Sequence, residues 1–330
     1  MALYLTILIV GFAVLAWSAE RFIAGAAVTA RSLGVPPLVV GLTIVGIGTS
    51  APEMLVSGLA AWQGNPGLSV GNAVGSNIAN TGLILGLTAL FYPLVVRSRI
   101  LRWEIPLLLG VMLAVVPLML DLRLMRWEGL LLLAGMAAVL VWMGWQSRGG
   151  DVTDPIIQEY EDEIPVSMPL RTALIWLVVG LVLMLASSRV LVWAAVAIAQ
   201  GLGVSDLVIG LTVVALGTSL PELAASMASA RKGEYDIAIG NVLGSNIFNL
   251  LGVMGLAAAI RPFAIEPALL SRDYVAMVAL TVVFFFFGYG FHRAGHVSRW
   301  EGLLLLALYA GYQIMLYFNA GPGVYWPGGR

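Results

Sequence analysis

Apolar runs of roughly bilayer length follow one another along almost the whole chain, broken by short polar or glycine- and proline-bearing stretches. A membrane-crossing helix needs about 20 such residues. Runs of that order lie at 2–30, 36–62, 69–95, 103–121 and 127–146, and again at 170–199, 205–231, 236–260, 272–291 and 300–319. The pattern predicts ten helices, five on each side of one polar segment. Pro36-Pro37 suits the first turn of the second helix. Gly64-Asn65-Pro66-Gly67 and Arg231-Lys232-Gly233-Glu234 read as tight returns. The first run lacks a basic leader and carries Glu20-Arg21 well inside, so it reads as a retained span, not a signal peptide.

Composition sharpens this. Of the 330 residues 60% are hydrophobic and only 11% charged, against roughly 25% charged in a soluble domain. So few charges cannot cover a folded surface of this size unless much of it faces lipid. A disordered chain, a disulfide-stapled module and an ordinary cytosolic enzyme are excluded. With no cysteine, thiolate metal sites and thiol redox chemistry are excluded too, and a net charge of −1 gives no case for nucleic acid. The expected class is an all-α, multi-pass membrane protein with the lipid bilayer as its main partner; oligomeric state is open.

Basic residues orient it. With the N-terminus outside, eleven of the seventeen Lys and Arg fall on inner loops and six on the outer side, which favours outside N- and C-termini. The segment 148–169, with Asp151, Asp154, Glu159, Glu161, Asp162 and Glu163, then reads as a solvated cytoplasmic linker. It has no EF-hand spacing and no glycine where such a loop would turn.

The two halves are copies. Shifted by 169 positions, residues 41–80 fall on 210–249 without a gap, and nineteen of the forty positions are identical. Gly48-Thr49-Ser50-Ala51-Pro52-Glu53 meets Gly217-Thr218-Ser219-Leu220-Pro221-Glu222. The run Gly71-Asn72-Ala73-Val74-Gly75-Ser76-Asn77-Ile78-Ala79-Asn80 meets Gly240-Asn241-Val242-Leu243-Gly244-Ser245-Asn246-Ile247-Phe248-Asn249. The expected organisation is a first five-span repeat at 1–147 with its motif at 41–86, and a second at 170–330 with its motif at 210–255. Five is odd, so the second copy enters the membrane from the opposite side. Inverted repeats of this kind place a shared site near the midplane.

Glu53 and Glu222 each lie inside an apolar span, where a carboxylate costs about 2.5–3.5 kcal/mol to insert and usually pairs or lines an ion path. Proline one residue earlier supplies no N–H and displaces the carbonyl four residues back. That disturbs carbonyls around Gly48 and Thr49 in one copy and around Gly217 and Thr218 in the other. Asn80 and Asn249 follow each glutamate by twenty-seven residues, with Ser76 and Ser245 one turn earlier on the same face. Asn72, Asn77, Asn241 and Asn246 read as interhelical hydrogen-bond partners, and the glycines at 71, 75, 82, 86, 240 and 244 as close-packing positions. An all-oxygen set selects a hard cation such as Ca²⁺, Mg²⁺, Mn²⁺ or Na⁺. Two carboxylates balance one divalent ion, and calcium's flexible coordination fits a site built from four helix segments. When that ion leaves, the pair must take protons or monovalent cations. That requirement is the physical basis of an exchanger.

The paired GTSxPE and GNxxGSNIxN motifs resemble the two α-repeats of the cation/Ca²⁺ exchanger superfamily, most closely its prokaryotic sodium/calcium exchangers. The resemblance implies Na⁺-driven Ca²⁺ exchange by alternating access across a prokaryotic cytoplasmic membrane, with no cofactor. It implies Ca²⁺ ligation by Glu53, Glu222 and the carbonyls of Thr49 and Thr218. It implies Na⁺ sites using the same glutamates with Ser50, Ser219, Ser76 and Ser245 and the carbonyls of Gly46 and Ala215. The first span of each half, 2–30 and 170–199, would slide against a fixed core; Glu20-Arg21 and Arg189 in these spans read as snorkelling to an interface. Exchangers of this type often carry Asp at the position of Asn80 or Asn249. Here both are Asn, so the site charge is −2, not −3, which bears on Na⁺ stoichiometry, on K⁺ involvement and on Na⁺ against H⁺.

An H⁺/Ca²⁺ antiporter on the same scaffold is the alternative, and a cation channel a more distant one, since broken helices with midplane carboxylates suit occlusion better than a continuous pore. An intramembrane enzyme would need a nucleophile or metal-activated water. The chain has no H-E-x-x-H or Ser/His set, and it has no P-loop for ATP-driven pumping. His292 and His296 read as surface histidines.

Overall fold

The computed structural model of the chain describes residues 2–32, 49–62, 66–97, 99–149, 168–201, 215–289 and 295–319. Helix α1 is Ala2–Ser32 and α2 is Ala51–Trp62; α3 covers 66–91, with a π-helical turn at Ala79–Ile84. Helices α4 (Arg99–Met119) and α5 (Arg126–Gly149) complete the first half. In the second half α6 is Leu170–Gly201, a short turn Ala215–Thr218 leads into α7 (Leu220–Lys232), and α8 covers 235–260 with a π-helical turn at Asn249–Val253. Helices α9 (Leu269–Gly288) and α10 (Arg299–Asn319) follow. Residues Pro36-Pro37, Gly46, the acidic segment 151–163 and His292 lie outside the described set, as do the starts of the spans expected at 36–62 and 205–231.

Among the described residues, six helices are long and apolar enough to cross a bilayer: Ser69–Phe91, Arg102–Met119, Leu170–Ser187, Tyr235–Ile260, Leu269–Gly288 and Arg299–Phe318. Within these, α3 and α8 bury 72% and 78% of their most apolar window, against 22–39% for the other four. The two helices carrying the GNxxGSNIxN motif are therefore the central pair, and the others turn large side chains such as Leu113, Val178 and Phe318 outward. The main apolar core joins them through Ile78, Leu85, Met112, Leu250, Met254 and Phe284. Lipid offers no hydrophobic drive for helix association, so such contacts act through close packing and buried polar bonds.

Helix α1 runs antiparallel to α6. Tyr4 meets the Trp193 ring at 5.4 Å, Trp17 meets Trp176 at 5.5 Å, and Gly25 backs onto Ala173 and Leu177. Opposite directions for the first helix of each half are what an inverted repeat requires. Arg21 is exposed, its guanidinium 5.7 and 5.3 Å from the indoles of Trp17 and Trp176, which fits an interfacial side chain. Arg189 is exposed as well.

The halves are also interlocked by two short ladders. Strand β1 (Leu94–Val96) pairs antiparallel with β4 (Gly295–Val297), and β2 (Arg123–Leu124) with β3 (Phe263–Ala264). Each ladder joins the strand after the central helix of one half to the strand before the last helix of the other. The last helices follow suit: α10 packs on the end of α3, and α5 on the end of α8. Both last helices begin with the same nine residues, Arg-Trp-Glu-Gly-Leu-Leu-Leu-Leu-Ala, at 126–134 and 299–307. Their glutamates cap the helix start: Glu128 Oε2 accepts from Met125 N at 2.7 Å, and Glu301 Oε2 from Ser298 N at 2.6 Å.

The glycines that follow let backbones touch. A Cβ on Gly302 would lie 2.8 Å from the Gly86 carbonyl oxygen, and one on Gly129 would lie 2.5 Å from Ala259 N and 2.7 Å from the Gly255 oxygen. Gly86 thus has the close-packing role its spacing predicts, and so does Gly82, where a Cβ would meet Tyr309 Cβ at 2.8 Å. Gly129→Leu and Gly302→Leu are each expected to lower the melting temperature in detergent by a few degrees, since overpacking costs about 1–3 kcal/mol. Gly110→Leu, where a Cβ would meet nothing within 4 Å, should leave it unchanged. The return at Arg231–Glu234 forms as its sequence suggests, with Gly233 at φ 89° closing α7.

Candidate functional site

Each motif glutamate sits at the start of a helix broken just before it. In the second half the chain leaves helical geometry at Ser219 (φ −87°, ψ 6°) and resumes at Leu220, so Glu222 lies in the first turn of α7, as Glu53 does in α2. Both are fully buried, with Thr49, Ser50, Ser76, Asn80 and their counterparts Thr218, Ser219, Ser245 and Asn249 buried around them.

The hydrogen bonds cross between halves. Ser219 Oγ donates to Glu53 Oε1 at 3.1 Å, and Ser50 Oγ donates to Glu222 Oε1 at 3.1 Å. The serine of each half's own central helix adds a longer bond, Ser76 to Glu53 Oε1 at 3.5 Å and Ser245 to Glu222 Oε1 at 3.4 Å. Thr49 Oγ1 reaches Asn241 Oδ1 at 3.3 Å and Thr218 Oγ1 reaches Asn72 Oδ1 at 3.2 Å. Each carboxylate is thus held through one oxygen by one serine from either half. Its other oxygen, Oε2, is buried with no hydrogen-bond partner among the described residues in both Glu53 and Glu222.

The same is true of Oδ1 in Asn80 and Asn249. The π-helical turns begin beside these residues, at Ala79 in α3 and at Asn249 in α8. Such turns interrupt regular α-helix and recur at functional sites. A buried acceptor left unpaired costs about 1–3 kcal/mol, more when charged. Four such oxygens, two from each half and related by the 169-residue shift, are acceptors of the kind a cation satisfies. Among the described residues no three or more His, Cys, Asp or Glu cluster together, so the two carboxylates are supplemented by neutral oxygens alone.

Residues 3–145 and 172–318 match the sodium/calcium exchanger protein family. The chain belongs to that family. Among its relatives, the inner membrane protein YrbG of Escherichia coli is 40% identical over 320 residues, covering 96% of this chain and 98% of that one. The sodium/calcium exchanger MaX1 of Methanosarcina acetivorans is 32% identical over 345 residues, covering 94% and 98%. A solved structure of the sodium-calcium exchanger NCX_Mj, soaked with Na⁺ and Ca²⁺, superposes with a TM-score of 0.75 at 31% identity, covering 95% of this chain and 98% of that one. The exchanger family is one of membrane transporters, and the protein is a multi-pass membrane protein.

Not every residue singled out in the sequence stands in the same way in this exchanger fold. Gly46 lies outside the described residues. The Ala215 carbonyl accepts from Ser219 N at 3.2 Å and Thr218 Oγ1 at 3.1 Å, so in this arrangement it is engaged within its own turn. Asn72, Asn77, Asn241 and Asn246 are interhelical partners, as their type suggests. Asn72 Nδ2 donates to Ser57 Oγ at 3.1 Å, and Asn241 Nδ2 donates to Ser226 Oγ at 3.1 Å and to the Glu222 carbonyl at 3.3 Å. Ser57 and Ser226 are not among the residues the motifs single out. They are a matched pair in the duplication, and that identity was the signal for them. Thr81 stands one residue past the GNxxGSNIxN run; its counterpart in the second half is Leu250, so the repeat itself hides it.

Proposed function

We propose that this protein is an antiporter that exchanges Ca²⁺ for Na⁺ across the cytoplasmic membrane at the site between Glu53 and Glu222. The observation that carries this reading is the set of four unpaired, buried oxygens: Glu53 Oε2, Glu222 Oε2, Asn80 Oδ1 and Asn249 Oδ1. Two carboxylates match the charge of one Ca²⁺, and flexible coordination by carboxylate, amide, hydroxyl and carbonyl oxygens suits that ion. Thr49 and Thr218 would add backbone carbonyls. The serines Ser50, Ser219, Ser76 and Ser245 stand on the same carboxylates and would complete Na⁺ coordination once Ca²⁺ has left. Membership of the exchanger family and the likeness to NCX_Mj support the assignment.

Alternating access has a natural division in this fold. The α1–α6 pair holds its own small apolar cluster, Leu15, Phe22, Ala26 and Met184, which meets α7 through Leu220, Leu223 and Ala225. The pair can shift as a body against the core that carries both glutamates. The excess of basic residues on one set of loops supports termini on the outer side.

The deciding experiment is ⁴⁵Ca²⁺ uptake into proteoliposomes preloaded with Na⁺ or with acid. Uptake driven by an outward Na⁺ gradient and unaffected by a pH gradient is expected. Uptake driven by the pH gradient alone would make H⁺ the counter-ion, and no gradient-driven Ca²⁺ movement would refute the reading.

A further inference from the structure

An asparagine can serve a cation only one way round. Its amide oxygen attracts the ion and its NH₂ repels it, yet the two ends are nearly the same size. Aspartate has oxygen at both ends and needs no such direction. With Asn at both 80 and 249, something must hold each amide with its oxygen toward the ion.

The structure supplies a chain of bonds for each. Asn249 Nδ2 donates to Asn77 Oδ1 at 3.1 Å, and Asn77 Nδ2 donates to the Asn246 backbone carbonyl at 3.1 Å. A carbonyl only accepts, so Asn77 must present its NH₂ there and its oxygen to Asn249. Asn249 then has to turn its own NH₂ toward Asn77, which leaves its Oδ1 as the unpaired atom. In the other arm Asn80 Nδ2 donates to Asn246 Oδ1 at 3.0 Å, and Asn246 Nδ2 donates to Thr81 Oγ1 at 3.0 Å. Again the outcome is an unpaired Oδ1, on Asn80. The anchors differ because Leu250 stands where Thr81 would recur, and a backbone carbonyl takes that place instead. A hydroxyl both donates and accepts, so the Thr81 anchor is the more permissive of the two.

We propose that Asn77, Asn246 and Thr81 are positioning residues, which fix the amides of Asn80 and Asn249 so that oxygen and never NH₂ faces the transported cation. The inference rests on the exchanger reading above. It is tested on the full-length protein by Ca²⁺-dependent thermal shift, which gives an apparent affinity, and by KM against kcat for ⁴⁵Ca²⁺ uptake. Asn77→Ala should weaken Ca²⁺ binding about tenfold, in the range usual for partners of metal ligands, and raise KM with little change in kcat. Asn77→Ala with Asn249→Asp should recover to within about threefold of Asn249→Asp alone, because the carboxylate needs no orientation. Thr81→Val, which keeps the side-chain volume, should weaken binding about threefold, and adding Asn80→Asp should restore it. Unchanged affinity in both single variants, or a loss that the aspartates do not rescue, would overturn the proposal. If Asn77→Ala does not fold, the Thr81→Val pair decides by the same criteria. A wild-type protein that shows no Ca²⁺-dependent shift would bring down the exchanger reading itself, and this proposal with it.

Discussion

Glu53→Gln and Glu222→Gln are each expected to remove Na⁺-driven Ca²⁺ uptake, by at least about 100-fold, while leaving the protein folded. Both carboxylates are fully buried, and each has one oxygen without a hydrogen-bond partner among the described residues. With one of them neutralised, a divalent ion in the site would keep an uncompensated positive charge in a low-dielectric interior. Breaking a buried charge pair in this way costs about 3–5 kcal/mol, and about 1.4 kcal/mol is tenfold. Without the ion the sign reverses. An isolated buried carboxylate is itself a burden, so both glutamine variants should melt no lower than wild type in the absence of cations. The serines serve as the contrast. Ser50→Ala and Ser219→Ala each delete one neutral donor to the opposite half's carboxylate, at 3.1 Å in both cases, so losses of about tenfold are expected, from the low end of about 1.5 kcal/mol for a hydrogen bond to a charged group. The measurement is ⁴⁵Ca²⁺ uptake beside a melting curve for each variant. Glutamine variants that transport normally would remove the glutamates from the ion path. Variants that simply unfold would make them structural.

The glutamates, serines and threonines were legible in the sequence because a carboxylate in an apolar span has so few reasons to be there, and because the duplication showed it twice. Inversion followed from an odd number of spans per half. It fits the bond from Ser219 to Glu53 and not to its own Glu222: the motif segments of the two halves face each other. Features spread over few residues were harder to read. A ladder of two or three residues, such as Arg123–Leu124 on Phe263–Ala264, is too short to show alternation, so the cross-links between halves could not be seen. The π-helical turns at Ala79–Ile84 and Asn249–Val253 leave the apolar pattern almost unchanged. The repeated Arg-Trp-Glu-Gly start of α5 and α10 was in plain view, but at a spacing of 173 residues it falls out of step with the 169-residue shift. Direction within an amide is invisible to any sequence pattern, since Asn80 is the same letter whichever end it turns toward the ion.

Under the exchanger reading the neutral amides also leave the site with the charge of its two glutamates alone, and that charge bears on how many ions move. A buried site at −2 is balanced by one Ca²⁺ or by two Na⁺, and a third Na⁺ would enter with nothing to offset it. The exchange is therefore expected to be electroneutral, at two Na⁺ for each Ca²⁺. Clamping the membrane potential of proteoliposomes with valinomycin and K⁺ gradients of either sign should leave wild-type ⁴⁵Ca²⁺ flux unchanged. Asn249→Asp adds a third carboxylate next to the same unpaired position, while Asn77 Oδ1, the acceptor of the present amide, lies 3.1 Å from Asn249 Nδ2. Two oxygens facing each other at that spacing favour a carboxylate turned fully onto the ion. The variant site, at −3, has room in its charge balance for a third Na⁺, and each turnover would then move a net charge. One charge across 100 mV is worth about 2.3 kcal/mol, so flux should become several-fold sensitive to potential. A wild-type flux that already follows the potential would mean that a third ion enters despite the missing carboxylate, with its charge balanced by groups outside the glutamate pair. A variant that stays indifferent would mean that the introduced aspartate keeps a proton in both the Ca²⁺-loaded and the Na⁺-loaded site, so that two Na⁺ still balance one Ca²⁺, and counting ²²Na⁺ against ⁴⁵Ca²⁺ in the same vesicles separates three Na⁺ per Ca²⁺ from two.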